Sequence, residues 1–288
     1  MGFMQPANSI AYRRSPTSTA IVFIVCALAA AVLIWFTETS RIEQERSRVS
    51  NLAGEYALAL QMNIENALSA TYALATMIEL NHGNRRDFAT TAAALRSFYP
   101  GIAALELAPG GVVSDISPLA GNEKALGHNL LTDPERDKEA FLARETGKLT
   151  LAGPFNLVQG GQGAAGRLPV YLRDEKGQRR FWGFVIVLIH FPGLLGPARL
   201  PALVERGYDY ALWRVHPDTG RRQMIVSSSS TPLIDPVNRA VQVPNASWTL
   251  SVAPCGGWIS PAMLAMKAAI ALFIALLATA SWRTLVAK

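Results

Sequence analysis

The apolar positions of the chain fall into three patterns. Residues 15–37 carry no charge, and residues 21–36 within them are almost wholly apolar. A helix of ~20 such residues crosses a bilayer core. Residues 258–282 form a second apolar stretch whose one charge is Lys267. Both stretches read as transmembrane helices, and no other run is comparably long. From residue 38 to about 80 the apolar residues recur instead at steps of three and four: Val49, Leu52, Tyr56, Leu60, Ile64, Ala67, Thr71, Leu74 and Ile78. That spacing predicts one long amphipathic helix over 38–82. Gly54 is its weak point, at ~1 kcal/mol relative to alanine, and His82-Gly83 reads as its stop.

A second helix is predicted over 87–99, then strands at 102–107 and 111–118 around Pro109-Gly110-Gly111. Thr132-Asp133-Pro134-Glu135 has the form of a capping box and opens a helix that reaches Thr146, before Gly147. Strands follow at 149–157, 168–172 and 181–189, the last two joined by the polar tip Asp174-Glu175-Lys176-Gly177. A short helix and a turn occupy 191–206. Residues 210–215, 223–227, 239–243 and 247–252 read as a smaller strand-rich group close to the membrane. Helix, strand pair, helix and then antiparallel strands predict an α+β fold with an antiparallel sheet. The divisions that follow are a tail at 1–14, a span at 15–37, a stalk helix at 38–82, a distal unit at 87–195, a proximal unit at 196–257, a span at 258–282 and an end at 283–288.

Charge sets the orientation. The formal net charge is +6, yet the loop 37–257 holds all 21 Asp and Glu and 22 of the 27 Lys and Arg, a net of +1. No basic stripe marks the folded part, so nucleic acid is not an expected partner. Arg13 and Arg14 precede the first span, and Arg283 and Lys288 follow the core of the second. Basic residues favour the cytoplasmic side. Both termini are therefore expected in the cytoplasm, with 37–257 outside a cell (inner) membrane. Ala27-Leu28-Ala29 resembles a signal-cleavage site, but the apolar run continues through Phe36, long for a signal peptide, and reads as an uncleaved anchor. Cys26 and Cys255 cannot form a disulfide framework. The loop has to fold by core burial, for which about 220 residues suffice.

The chemical motifs are sparse. Residues 161–166 spell G-x-G-x-x-G, but no helix follows to face a pyrophosphate, and a flexible loop between strands is expected there. Asp133, Glu135, Asp137 and Glu139 alternate like calcium ligands but lack the glycine and terminal glutamate of an EF-hand loop. His82, His128, His190 and His216 share no ligand spacing. With no nucleophile elbow, P-loop or Cys–His pair, no catalysis, cofactor or metal is expected. Lys267, inside the second span, is expected to snorkel to the outer interface. Ala27/Ala31 and Ala271/Ala275 supply spacing for helix pairing.

Residues 99–195 resemble the CHASE domain, an extracytoplasmic sensor of bacterial receptors and plant cytokinin receptors. The resemblance rests on Tyr99-Pro100-Gly101-Ile102, Gly121-Asn122-Glu123, Asp133-Pro134-Glu135-Arg136 and Ala143-Arg144-Glu145-Thr146-Gly147. It continues through Gly153-Pro154-Phe155, Gln159-Gly160-Gly161, Arg167-Leu168-Pro169-Val170-Tyr171 and Phe181-Trp182-Gly183-Phe184-Val185, and Gly256-Gly257-Trp258 looks like the end of bacterial members. It implies a long N-terminal helix and two PAS-like units, the distal one binding a small molecule. It also implies a signal to a histidine kinase, diguanylate cyclase or phosphodiesterase, downstream or in a separate effector. A homodimer of moving helices is an expected output, and a structural anchor without a ligand is the rival reading. Family members often carry an acid two places after the glycine that Gly127 matches, where this chain has Asn129. Within 118–127 the only acid is Glu123. The expected pocket lies between the distal sheet and the segment 127–136, with Gly127, Asn129, Arg136, Arg167, Tyr171 and Gly183 as candidates. Arg167 offers a planar donor fork, Tyr171 a ring with a polar tip, and Gly183 room beside its strand.

Overall fold

The computed structural model describes residues 16–99, 101–133, 137–157, 161–191, 193, 196 and 198–285. They form two compact units: one gathers the chain through Ser47 and from Gly256 onward, the other runs from Arg48 to Cys255. Helix α1, Pro16–Leu80, is continuous and contributes to both.

In the first unit, the start of α1 and the last helix, Pro261–Leu285, are each long and apolar enough to cross a membrane. The second begins three residues later than the pattern predicts. Ser260 caps it: the Leu264 N–H donates to the Ser260 carbonyl at 3.0 Å, and the Met263 N–H to its hydroxyl at 3.4 Å, with Pro261 at the first helical position. Trp258 therefore lies in the turn before the helix. Arg41 donates to its carbonyl at 2.8 Å, and the Arg46 guanidinium sits 4.6 Å from its ring centre. The Lys267 ammonium forms an ion pair with Glu38.

In the second unit, the predicted stripe of α1 is the buried one. Val49, Leu60, Ile64, Ala67, Thr71, Leu74 and Ile78 are at most 1% exposed, while Leu52 and Tyr56 are half-buried. The distal sheet contains β1 (Ile102–Pro109), β2 (Asp115–Ser117), β3 (Thr150–Asn156), β4 (Gln162–Arg173) and β5 (Arg179–His190). Its order is β2-β1-β5-β4-β3, antiparallel throughout. Helices α2 (Phe88–Phe98) and α3 (Asp137–Thr146) accompany it. Of the expected capping box, Pro134 and Glu135 lie outside the described residues.

Two readings are corrected here. The predicted loop at 161–166 is almost entirely the first half of β4. A Cβ at Gly166 would run into Leu68 of α1 and Val187 of β5, so glycine lets the helix pack onto this face of the sheet. The glycines record close packing rather than flexibility. The predicted strand at 111–118 shrinks to three residues. The chain before and after it folds over the other face: Gly127 N–H donates to Val113 O at 2.8 Å, Val113 N–H to His128 O at 2.9 Å and Leu130 N–H to Gly111 O at 2.9 Å. Val113, Ala125 and Leu130 from this segment join Ala140 and Ala143 of α3 and Ala165, Phe184, Ile186 and Leu188 of the sheet in one core.

A short helix, α4 (Pro201–Glu205), leads to the second sheet of β6 (Tyr208–Val215), β7 (Arg222–Ser227), β8 (Val237–Val243) and β9 (Ala246–Pro254). Its order is β7-β6-β9-β8, matching the four predicted segments to within three residues at each end. Trp248, 1% exposed, anchors its core edge-on to Phe191 at 6.0 Å. Polar contacts join the two sheets. Leu151 N–H donates to Asn245 Oδ1 at 2.7 Å, and within the second sheet Arg214 Nε holds Gln223 by donating to its Oε1 at 2.8 Å. Gln223 Nε2 in turn donates to Pro154 O at 3.0 Å, and Lys138 pairs with Asp218.

Candidate ligand cavity of the distal sheet

Glu106 of β1, Ile186 of β5 and Arg167 of β4 are register partners across three adjacent strands. Residues directly opposite in a ladder project to the same face. Here that face is the one covered by the 111–131 segment. Glu106 is 3% and Arg167 1% exposed. Acids and arginines are seldom buried so completely unless paired, and neither is without a partner. Both line a cavity of about 30 Å³, together with Ile186, Ala165, Leu188, Phe155, Leu157, Val113, Ala125, Leu130 and His128. His128 Nε2 lies 3.3 Å from Asp133 Oδ2. The site is thus an apolar enclosure with one carboxylate and one guanidinium on its floor and an imidazole on its roof. Among the described residues, no group of three or more His, Cys, Asp or Glu could hold a metal.

Of the candidates read from the sequence, Arg167 lines this cavity. Gly127, with φ of 80°, and Asn129 flank His128. The Asn129 side-chain oxygen accepts from Leu131 N–H at 3.0 Å, so it shapes the covering segment. Arg136 lies outside the described residues. Tyr171 and Gly183 lie elsewhere. The Tyr171 hydroxyl donates to the Arg144 carbonyl of α3, its ring meets Phe181 at 5.7 Å, and Arg179 lies over it at 4.1 Å. The room expected beside Gly183 is taken: a Cβ there would strike Ala108 O and Pro109 Cα of β1. Glu123 is exposed and accepts from Gly121 N–H at 3.1 Å. Backbone N–H donors, its own and that of Gly121, hold its carboxyl below the ordinary 4.5. It does not line the cavity.

The residues missed from the sequence are Glu106 and His128. Glu106 had a visible signal, a single acid in the apolar strand Ala103-Ala104-Leu105-Glu106-Leu107-Ala108. His128 had none beyond its place between Gly127 and Asn129.

The fold is a long N-terminal helix leading into a distal sheet of order 2-1-5-4-3 and a second antiparallel sheet, with two helices long and apolar enough to cross a membrane. Residues 110–221 match the family model of the CHASE domain. The match begins later than the stretch read from the sequence and extends through β6. The fold is similar to that of an extracellular ligand binding receptor from Desulfohalobium retbaense DSM5692, at TM-score 0.59 and 12% identity over 71% of this chain. The chain spans 40% of the length of that receptor structure. It is also similar to the extracellular domain of rpHK1S-Z16, at TM-score 0.51 and 11% identity, covering 73% of this chain and 94% of that one. No curated protein sequence matches the chain.

Proposed function

We propose that the distal cavity is the ligand site of this sensor, and that the chain binds a small molecule there and releases it unchanged. The observation that carries the reading is the buried Glu106 and Arg167 on the floor of an otherwise apolar cavity. A few placed polar groups in an apolar concavity are the usual make-up of a small-molecule site.

Transmission uses the elements that touch the cavity. Phe155 lines it, and the preceding Pro154 carbonyl receives Gln223 of the second sheet. That sheet in turn holds α1, through Arg239 Nε donating to Ser50 O at 3.0 Å and Gln242 N–H to Gln61 Oε1 at 3.2 Å. A ligand shifts such an arrangement only if it binds one state more tightly than another. Both termini face the cytoplasm, residues 37–257 face outside, and the output is a movement of α1 within a homodimer read by a cytoplasmic effector.

The test is a thermal-shift screen of the full chain in nanodiscs against small organic acids, amines and amino acids, since a bound compound stabilises by mass action. Binders should raise Tm in the unsubstituted chain but not in Ala165→Leu, which fills the cavity from its floor. Mass spectrometry should recover them unaltered. A shift that survives Ala165→Leu places the ligand elsewhere, and a converted compound makes the chain an enzyme.

A further inference from the structure

We propose that the distal cavity receives a small zwitterion, a molecule with an ammonium and a carboxylate on a short aliphatic skeleton. The inference rests on the reading of that cavity as the ligand site. Its first support is the placement of opposite charges. Glu106 and Arg167 stand on the same face with only β5 between their strands. Adjacent strands are ~4.8 Å apart, so the two Cα atoms are about 10 Å apart, and each side chain can reach one end of a small molecule lying over β5. The guanidinium fork suits a carboxylate in two-point contact, and a carboxylate accepts from an ammonium.

The second support is burial. A buried ion pair contributes little net stability, and apolar replacements of similar volume are often neutral or stabilising. A core that keeps Glu106 at 3% and Arg167 at 1% exposure gains little stability from the charges as such. On binding, both charges would exchange their present partners for those of the ligand, so the desolvation they already carry is not incurred again.

The third support is size. The cavity holds about 30 Å³, where one ordered water needs roughly 10–15 Å³, so it has room for only a few atoms. Pockets for drug-sized compounds begin near ~300 Å³. A fused-ring ligand would have to lift the whole 111–131 segment. A ligand of a few heavy atoms needs only a small outward shift of Val113, Ala125 and Leu130. Those residues, with Ile186 and Leu188, leave an aliphatic wall for the carbon skeleton.

The experiment is calorimetric titration of the full chain in nanodiscs with glycine, L-alanine, 4-aminobutyrate, propionate and propylamine. At least one zwitterion should bind at least ten-fold more tightly than either monofunctional compound. Glu106→Gln should cost that zwitterion ten-fold or more and leave propionate unchanged. Arg167→Gln should cost it likewise and leave propylamine unchanged. If Arg167→Gln does not fold, the comparison of compounds on the unsubstituted chain decides alone. Equal affinity for zwitterion and monofunctional compounds, or no binding of any of the three zwitterions, overturns the proposal. If another compound from the wider screen binds instead and Ala165→Leu abolishes its binding, the cavity reading stands and only the ligand class falls. If Ala165→Leu leaves its binding intact, both fall.

Discussion

The two sheets of the folded unit are both antiparallel, yet they are buried differently. In the distal sheet β4 has eight consecutive buried residues and β5 seven, because α1 covers one face and the 111–131 segment with α3 the other. In the second sheet β8 has one buried residue, Val241, and β7 one, Ile225. A sheet covered on both sides can enclose a cavity and hold charges away from water. A sheet half in solvent can instead spend its side chains on contacts with its neighbours. On the proposed reading, this difference suits the distal sheet to recognition and the second to coupling.

The largest expected effect probes whether these roles separate. Trp248→Ala removes the one large anchor of the second sheet and should cost about 4 kcal/mol, read by denaturant unfolding. A compound that binds the distal cavity should keep its affinity at temperatures where the variant is folded. Loss of that affinity would mean that the second sheet shapes the cavity directly.

Next is Gly183→Ala in the distal sheet. Its Cβ would strike backbone atoms of β1, which cannot yield as a flexible side chain can, and a cost of about 2–3 kcal/mol is expected. Ala240→Thr on the exposed side of β8 should stay within about 0.5 kcal/mol. Comparable losses at the two positions would contradict the contrast in covering.

The smallest effect concerns the join between the sheets. The Lys138 ammonium beside Asp218 lowers the Asp218 carboxyl below its ordinary 3.8, and that carboxylate raises Lys138 above 10.5. A depressed carboxyl stabilises the fold above its unfolded value, and this is lost as pH falls through the folded value. A raised ammonium contributes below its unfolded value and loses this as pH rises through the folded one. Asp218→Asn should therefore lower Tm slightly across neutral pH, and the difference from the unsubstituted chain should shrink as pH falls below 3.8 or rises above 10.5, vanishing only once the shifted folded value is passed. Both side chains are exposed, so the effect is small and screened by salt. A difference that persists in strong acid would mean that Asp218 acts through packing.

The same contrast explains what was legible in the sequence. The stripe of α1 and the four strands of the second sheet could be read, because one buried face and one wet face leave a period. The distal strands, buried on both faces, leave no such period; β1, β3 and β5 were still legible as short apolar runs bounded by turn residues, while the first half of β4 was not. The glycines of 161–166 look like a loop until α1 is placed against them. Arg167 stood out by its chemistry, and Glu106 was hidden in an apolar run. Gly183 was read as space for a ligand when the space belongs to β1. The cavity joins residues 106, 128 and 167 across β1, the covering segment and β4, and only the sheet order brings them together.

Hydrogen–deuterium exchange of the full chain in nanodiscs, with and without saturating L-alanine, tests most directly that the distal cavity is the sensing site. Protection is expected in residues 104–108, 111–131 and 163–168, with smaller changes in β6–β9. Protection confined to β6–β9, or an exchange pattern that L-alanine leaves unchanged throughout while it raises Tm, would contradict it.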